Sequence, residues 1–311
     1  MSNTNNIRIV FMGTPEFAVA SLDALVQAGY NIVGVITAPD KPAGRGMKPS
    51  ESAVKKYAVE KGLNTLQPEK LKNPEFLQQL RDLKADLQIV VAFRMLPEAV
   101  WNMPPLGTIN LHGSLLPQYR GAAPINRAVI NGEKETGVTT FKLQHEIDTG
   151  GILLQESFPI GDDETAGEIH DRMKNIGAQV LVKTVAGLAN GSIQEKPQAN
   201  TLDGKELKSA PKIFTDDCKI DWAKPVSNIY NLIRGLAPYP CAFTSLQGKT
   251  LKVYRAKKES AAVSVAPGEY VTDKKTFLKF AAADGYIHIL ELQLEGKKKM
   301  NIEEFLRGYR F

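Results

Sequence analysis

The chain has 311 residues, 43% of them hydrophobic and 23% charged, a length that suits two domains and the composition of an ordinary globular protein. No apolar run approaches the roughly 20 residues needed to cross a bilayer, the polar start from Met1 to Asn6 has no signal-peptide pattern, and two cysteines exclude a disulfide framework, so a cytoplasmic setting is expected. The net charge of +5 is uneven: residues 205–311 hold 19 Lys and Arg against 12 Asp and Glu, whereas residues 1–204 hold 20 against 22.

Ile7 to Phe11 reads as a buried strand, followed by a Gly13-Thr14-Pro15 turn into a helix with an apolar stripe through Phe17, Leu22 and Leu25. Gly29 closes that helix and Ile32 to Thr37 is the next strand, which makes a βαβ unit and starts a parallel sheet. Dinucleotide binding fails on detail, because Gly13 stands alone where a pyrophosphate cradle needs three glycines and no acidic residue ends the second strand. Ala38 to Ser50 is a loop by composition, with three prolines, two glycines and the basic residues Lys41, Arg45 and Lys48, near Lys55. It serves either as a flexible connection or as a phosphate-contacting arm.

Helical patterns follow at Ser52 to Lys61 and Pro74 to Lys84, then a strand from Leu87 to Ala92 whose end carries Phe93, Arg94, Met95 and Leu96. Those four residues either wall a ligand crevice or are core residues before a helix. Thr108 to His112 is a further strand, Ala122 to Asn131 a helix, Val138 to Leu143 and Ile152 to Phe158 strands, and Thr165 to Ala189 one long amphipathic helix capped by Thr165. Residues 1–190 therefore form a three-layer α/β domain with a mostly parallel, Rossmann-like sheet. Polar residues 191–208 read as a linker. Residues 209–311 hold a helix (Val226 to Leu236), several short strands at regular spacing and a closing helix (Asn301 to Gly308), the pattern of a small, OB-like β-barrel. The positive excess lies in this part, which suits either a polyanionic partner or a solvated basic surface.

Alternation puts Asn110 and His112 on one face at the carboxyl end of a strand, where open α/β sheets bind ligands. Asp148 lies in the tight loop Gln144 to Gly151. Singly, each has an ordinary use: a turn-forming Asn, a satisfied strand-end His, an Asx-turn Asp. Together they suit acyl transfer to an amine: an amide and an imidazole stabilise an oxyanion while a carboxylate orients the imidazole and helps remove a proton. Gly113-Ser114-Leu115 lacks the flanks of a nucleophile elbow, so direct transfer is preferred over a covalent enzyme intermediate. His112, His145, His170 and His288 show no zinc-site spacing, nor do Cys218 and Cys241, and no metal is expected.

INLHGSLLPQYRGAAP with IDTG downstream resembles the signature of the folate-dependent formyltransferases. GTPEFA at the first turn, the PDKPAGRG loop, ETGVT, KIDW and IRGLAPYP extend the resemblance across both domains, towards members that act in translation initiation. The resemblance implies 10-formyltetrahydrofolate as donor and the α-amino group of initiator methionyl-tRNA as acceptor, with no membrane and no protein partner. By position it makes Asn110, His112 and Asp148 the catalytic residues. Ser114, Leu115, Leu116 and Pro117 would line the folate site, with Phe93, Arg94, Met95, Leu96 and Ile147 flanking the pterin. Lys41, Arg45 and Lys48 would contact tRNA. The strand end VVAFRMLP departs from the common VVAYG, which leaves the pterin wall differently shaped, and His145 falls where the family varies and is expected at the surface. Alternatives on the same residues are formylation of a small amine, a purine precursor or an amino sugar, and an inactive tRNA-binding protein.

Overall fold

The computed structural model describes residues 6–43, 48–201 and 206–311. In chain order the elements run β1 (Arg8–Gly13), α1 (Glu16–Gln27), β2 (Asn31–Ile36), β3 (Lys41–Ala43), β4 (Lys48–Ser50), α2 (Ala53–Glu60), β5 (Thr65–Leu66), α3 (Pro74–Asp82), β6 (Leu87–Val91) and α4 (Glu98–Trp101). There follow β7 (Thr108–His112), β8 (Arg120–Gly121), α5 (Pro124–Ile130), β9 (Glu135–Lys142), β10 (Ile152–Pro159) and α6 (Ala166–Ala189). The caps explain several starts: Ser52 accepts from Lys55 N, Asn73 accepts from Glu75 N with Pro74 behind it, and Thr165 forms a reciprocal capping box with Glu168.

One compact unit comprises Met1–Gly121, Gly137–Phe158 and Asp171–Ser209. Its seven-stranded sheet has the order β10-β9-β7-β6-β1-β2-β5. β5, β2, β1, β6 and β7 are parallel and β9 is antiparallel to β7, the mixed sheet of a Rossmann-like domain. Strand alternation sends Val10 and Met12 to one face, where they pack with Ile36, Val90 and, from α3, Phe76 and Leu80. α6 crosses β7 and β9 closely because Gly177 has no side chain; a Cβ there would lie 2.9 Å from Leu111 Cδ2. The stretch expected as a loop at 38–50 contains the short antiparallel pair β3 and β4, since its prolines sit at edge positions of a two-stranded ribbon that needs few donors.

The second unit comprises Ala122–Thr136, Pro159–His170 and Ala210–Phe311. Its own elements are β11 (Ser209–Ala210), which straddles the boundary, then α7 (Val226–Leu236), β12 (Ala242–Leu246), β13 (Lys249–Ser260), β14 (Tyr270–Thr272), β15 (Leu278–Ala281), β16 (Gly285–Leu294), β17 (Met300–Asn301) and α8 (Ile302–Gly308). The sheet β12-β13-β16-β15-β14 is antiparallel and curled as a half-barrel, with β17 beside β16. The apolar stripe of α7 (Val226, Ile229, Tyr230, Ile233, Leu236) shares the core with Leu251, Val253, Ile287 and Ile289, and Trp222 stacks on Phe280 at 4.8 Å. Helix α5 joins this unit because Gly235 of α7 lets it approach: Asn126 Nδ2 donates to Gly235 O at 2.8 Å, and a Cβ on Gly235 would meet Ile130 at 2.5 Å.

Candidate active site

Within β7, Ile109 and Leu111 are buried on the side taken by α6, so Asn110 and His112 point to the opposite face. Asn110 pairs across the strands with Phe141, and the Phe141 ring stands edge-on to the His112 imidazole at 6.4 Å between centroids. His112 is buried and its Nε2 lies 2.9 Å from the carbonyl oxygen of Tyr119. A carbonyl only accepts, so Nε2 carries a hydrogen and Nδ1 is the nitrogen left for chemistry. Nδ1 is 3.8 Å from Asp148 Oδ2. The Asn110 amide is half-buried and has no hydrogen-bond partner among the described residues, so it is free to donate.

Both backbone supports of this pair are strained. Tyr119 has φ 60° and Asp148 φ 55°, left-handed conformations that non-glycine residues adopt at a cost on the order of 1–3 kcal/mol each and that surrounding structure must hold. For Asp148 the restraints are explicit. Its Oδ2 accepts from Gly121 N at 2.9 Å, and its main-chain oxygen accepts from Gln198 Nε2 at 2.8 Å. The same Nε2 also donates to Gly150 O at 2.8 Å, and Gln198 Oε1 accepts from Arg120 Nη2 at 2.6 Å and Nε at 3.0 Å. Gly150 is required there, because a Cβ would sit 1.7 Å from Lys142 O. Gln198 lies in the segment 191–208 that composition reads as a linker. In the structure Lys196 of that segment is bridged to Ile152 and Gln198 is buried.

The Ser114–Pro117 loop is built from the inside. Ser114 Oγ donates to Gln118 O at 2.6 Å, and Leu116 and Pro117 are buried, so what this loop offers a ligand is its backbone and the half-buried Leu115. Thr139 on β9 pins it by donating to Ser114 O at 2.7 Å and accepting from Leu116 N at 3.0 Å and Gln155 Nε2 at 2.9 Å. Thr139→Val keeps the shape and orphans these buried groups; a loss of about 1–3 kcal/mol in denaturant unfolding is expected, and an unchanged midpoint would show that the loop does not need the pin.

After β6, Arg94, Met95 and Leu96 line a cavity of about 720 Å³ with Leu71, Lys72, Leu77, Pro97, Glu98 and Ala99. Met95 is 74% exposed and Ile147, beside Asp148, is 57% exposed, while Phe93 is half-buried. The Arg94 guanidinium donates to the carbonyl oxygens of Glu69, at 2.7 Å, and Pro68, so it ties the end of β6 to the segment after β5; burial pushes its pKa down from the usual arginine value. His145 is exposed and sits 3.1 Å from Glu98. In the basic loop, Lys41 is exposed, Arg45 lies outside the described residues, and so does the side chain of Lys48. Lys55 is engaged by Asp40 and, at 2.9 Å, by Glu51. Among the described residues no group of three or more His, Cys, Asp or Glu could hold a metal ion, and no helix is long and apolar enough to cross a membrane.

The formyl transferase family model matches residues 7–185, and the model described as formyl transferase, C-terminal domain, matches residues 212–310. A methionyl-tRNA formyltransferase of Parabacteroides distasonis is 57% identical over 98% of this chain and 96% of its own length; one of Bacteroides fragilis is 53% identical over 98% and 95%. The chain belongs to the methionyl-tRNA formyltransferase family. Solved structures show the same fold at lower identity. An N-formyltransferase of Helicobacter canadensis, solved with folinic acid and dTDP-3-aminofucose, is 20% identical over 94% of this chain and 100% of that one, with a TM-score of 0.68. HypX of Aquifex aeolicus, solved with tetrahydrofolic acid, is 19% identical over 97% of this chain and 48% of that one, with a TM-score of 0.66.

In this formyltransferase much of the second unit's charge is internally compensated. Asp162 pairs with Lys134 at 2.6 Å, Glu168 with Arg255 at 2.5 Å and Glu291 with Lys299 at 2.7 Å. Buried Arg234 donates to the carbonyl oxygens of Gly161 and Glu164. Exposed cations without an ion-pair partner among the described residues include Lys249, Lys252 and Lys257 on β13, Lys274 and Lys275 in the turn before β15, and Lys297 and Lys298 before β17. Such residues, rather than the total charge, are what the unit can offer a polyanion.

Proposed function

We propose that this enzyme transfers the formyl group of 10-formyltetrahydrofolate to the α-amino group of initiator methionyl-tRNA. The observation that carries the reading is the placement of the Asp148 carboxylate 3.8 Å from His112 Nδ1, with the unengaged Asn110 amide on the same strand face. The folate supplies a formyl carbon activated on its N10. The exposed apolar side chains of Met95, after β6, and Ile147, beside Asp148, suit a flat, largely apolar ring system.

The roles of the residues follow from their atoms. Asn110 Nδ2 donates to the formyl oxygen as it gains negative charge under attack by the amine nitrogen. His112 is fixed through Nε2, so only Nδ1 faces the reaction, and a proton there is stabilised by Asp148. Asp148 and Nδ1 together take the proton that the amine must shed as its new bond to the formyl carbon forms. As the bond from that carbon to N10 breaks, the same pair returns a proton to the leaving nitrogen. No covalent enzyme intermediate is needed, because Ser114 Oγ is spent on Gln118 O.

The two-domain arrangement proposed from the sequence, residues 1–190 for catalysis and 209–311 for tRNA, assigns the tRNA body to the exposed lysines of the second unit and its acceptor end to Lys41, Arg45 and Lys48. Counterion release makes this measurable. kcat/KM for methionyl-tRNA is expected to fall steeply with salt, and Lys257→Ala to reduce the slope of its logarithm against log salt concentration by about 1 if it meets a phosphate. An unaltered slope in Lys252→Ala, Lys257→Ala and Lys275→Ala would remove these lysines from the tRNA site. Arg45→Ala is expected to raise KM for methionyl-tRNA with folate affinity intact; equal loss of both would reassign the loop to the donor site.

A further inference from the structure

We infer that Gln198 is a positioning residue for the reaction, acting through Asp148. Its hydrogen bonds close a circuit around the catalytic carboxylate. Gly121 N donates to Asp148 Oδ2, Asp148 O accepts from Gln198 Nε2, and Gln198 Oε1 accepts from the guanidinium of Arg120, the residue adjoining Gly121. The side chain of Asp148 is thus held by Gly121 and its main chain by Gln198, which is itself tied to the adjoining Arg120. The second bond from Nε2, to Gly150 O at 2.8 Å, fixes the far end of the Asp148–Gly150 turn.

An amide suits this position for a chemical reason. Two carbonyl oxygens on one side need a group that donates twice, and a guanidinium on the other needs one that accepts; Gln does both while remaining neutral. Gln198 is buried, so water does not readily replace it. The turn it holds carries Asp148 at φ 55°, a conformation that relaxes once its restraints are lost. Relaxation would carry the carboxylate away from His112 Nδ1. The segment that supplies Gln198 follows α6 and lies about fifty residues downstream of the loop it orders, so the region between α6 and the second unit contributes directly to the catalytic geometry.

This inference rests on the proposed formyl transfer, and two readouts on the full chain separate the two claims. Gln198→Leu, close in volume and unable to bond, is expected to lower kcat for methionyl-tRNA formylation by about 100-fold, the cost of misplacing a group by roughly 1 Å, with KM for donor and acceptor near wild type. In protein labelled with ¹⁵N-histidine and free of substrates, the His112 ring resonances are expected to move in Gln198→Leu in the same sense as in Asp148→Asn. Should Gln198→Leu fail to fold, Gln198→Glu, which keeps the Arg120 contact and loses both donors, carries the same test. Either signature without the other overturns the inference: a kcat loss with unmoved resonances is architectural, and moved resonances with wild-type kcat deny Gln198 a part in the reaction. Failure of the wild-type enzyme to formylate methionyl-tRNA would sink the functional reading, while the resonances would still decide whether Gln198 sets Asp148.

Discussion

Asp148→Asn is expected to lower kcat for formyl transfer by about 10³-fold, within the range that a positioned acid–base group supplies, with the fold intact. The substitution is nearly isosteric, and the amide oxygen still accepts from Gly121 N, so the turn keeps its anchor. What changes is the atom facing His112. With Nε2–H committed to the Tyr119 carbonyl, the proposed proton transfer through Nδ1 relies on the carboxylate facing it, and an amide cannot take up that proton. Single-turnover kinetics with saturating donor and methionyl-tRNA measure this directly. A loss of less than tenfold would mean that His112 and Asp148 do not work as a pair.

The second large effect is expected at Asn110. Asn110→Ala removes the amide proposed to meet the formyl oxygen, and a loss of about 10² to 10³ in kcat is expected, corresponding to about 2.7–4 kcal/mol for one oxyanion donor. The fold has little to lose, because the Asn110 amide makes no hydrogen bond to other described residues. The interaction matters only as charge develops, so KM for the donor should hardly change. A raised KM with unchanged kcat would instead make Asn110 a binding residue.

The strands were legible because a sheet buried on both faces leaves continuous apolar runs such as IRIVF and LQIVVA, bounded by turn residues, and because alternation within β7 places Asn110 and His112 together without any tertiary information. The approach of His112 and Asp148, which the structure sets 3.8 Å apart, was legible from their places at a strand end and in a short loop. Its supports were not. Tyr119 contributes a backbone carbonyl, which has no residue-type signal, and Gln198 reaches Asp148 from a polar stretch whose composition says only linker. Arg94, which the resemblance puts at the pterin wall, lines the cavity after β6 while its guanidinium donates to the Glu69 and Pro68 carbonyls, an engagement that residue type alone does not signal. Composition also hid the membership of α5, whose place with α7 depends on the missing side chain of Gly235.

The central claim is the identity of the acceptor, and formyl transfer measured side by side on methionyl-tRNA and on free small amines, with one labelled donor, tests it most directly. Rapid formylation of methionyl-tRNA with negligible transfer to an amino sugar or a purine precursor is the predicted result; equal or faster transfer to the small amine, or none to methionyl-tRNA, would contradict it.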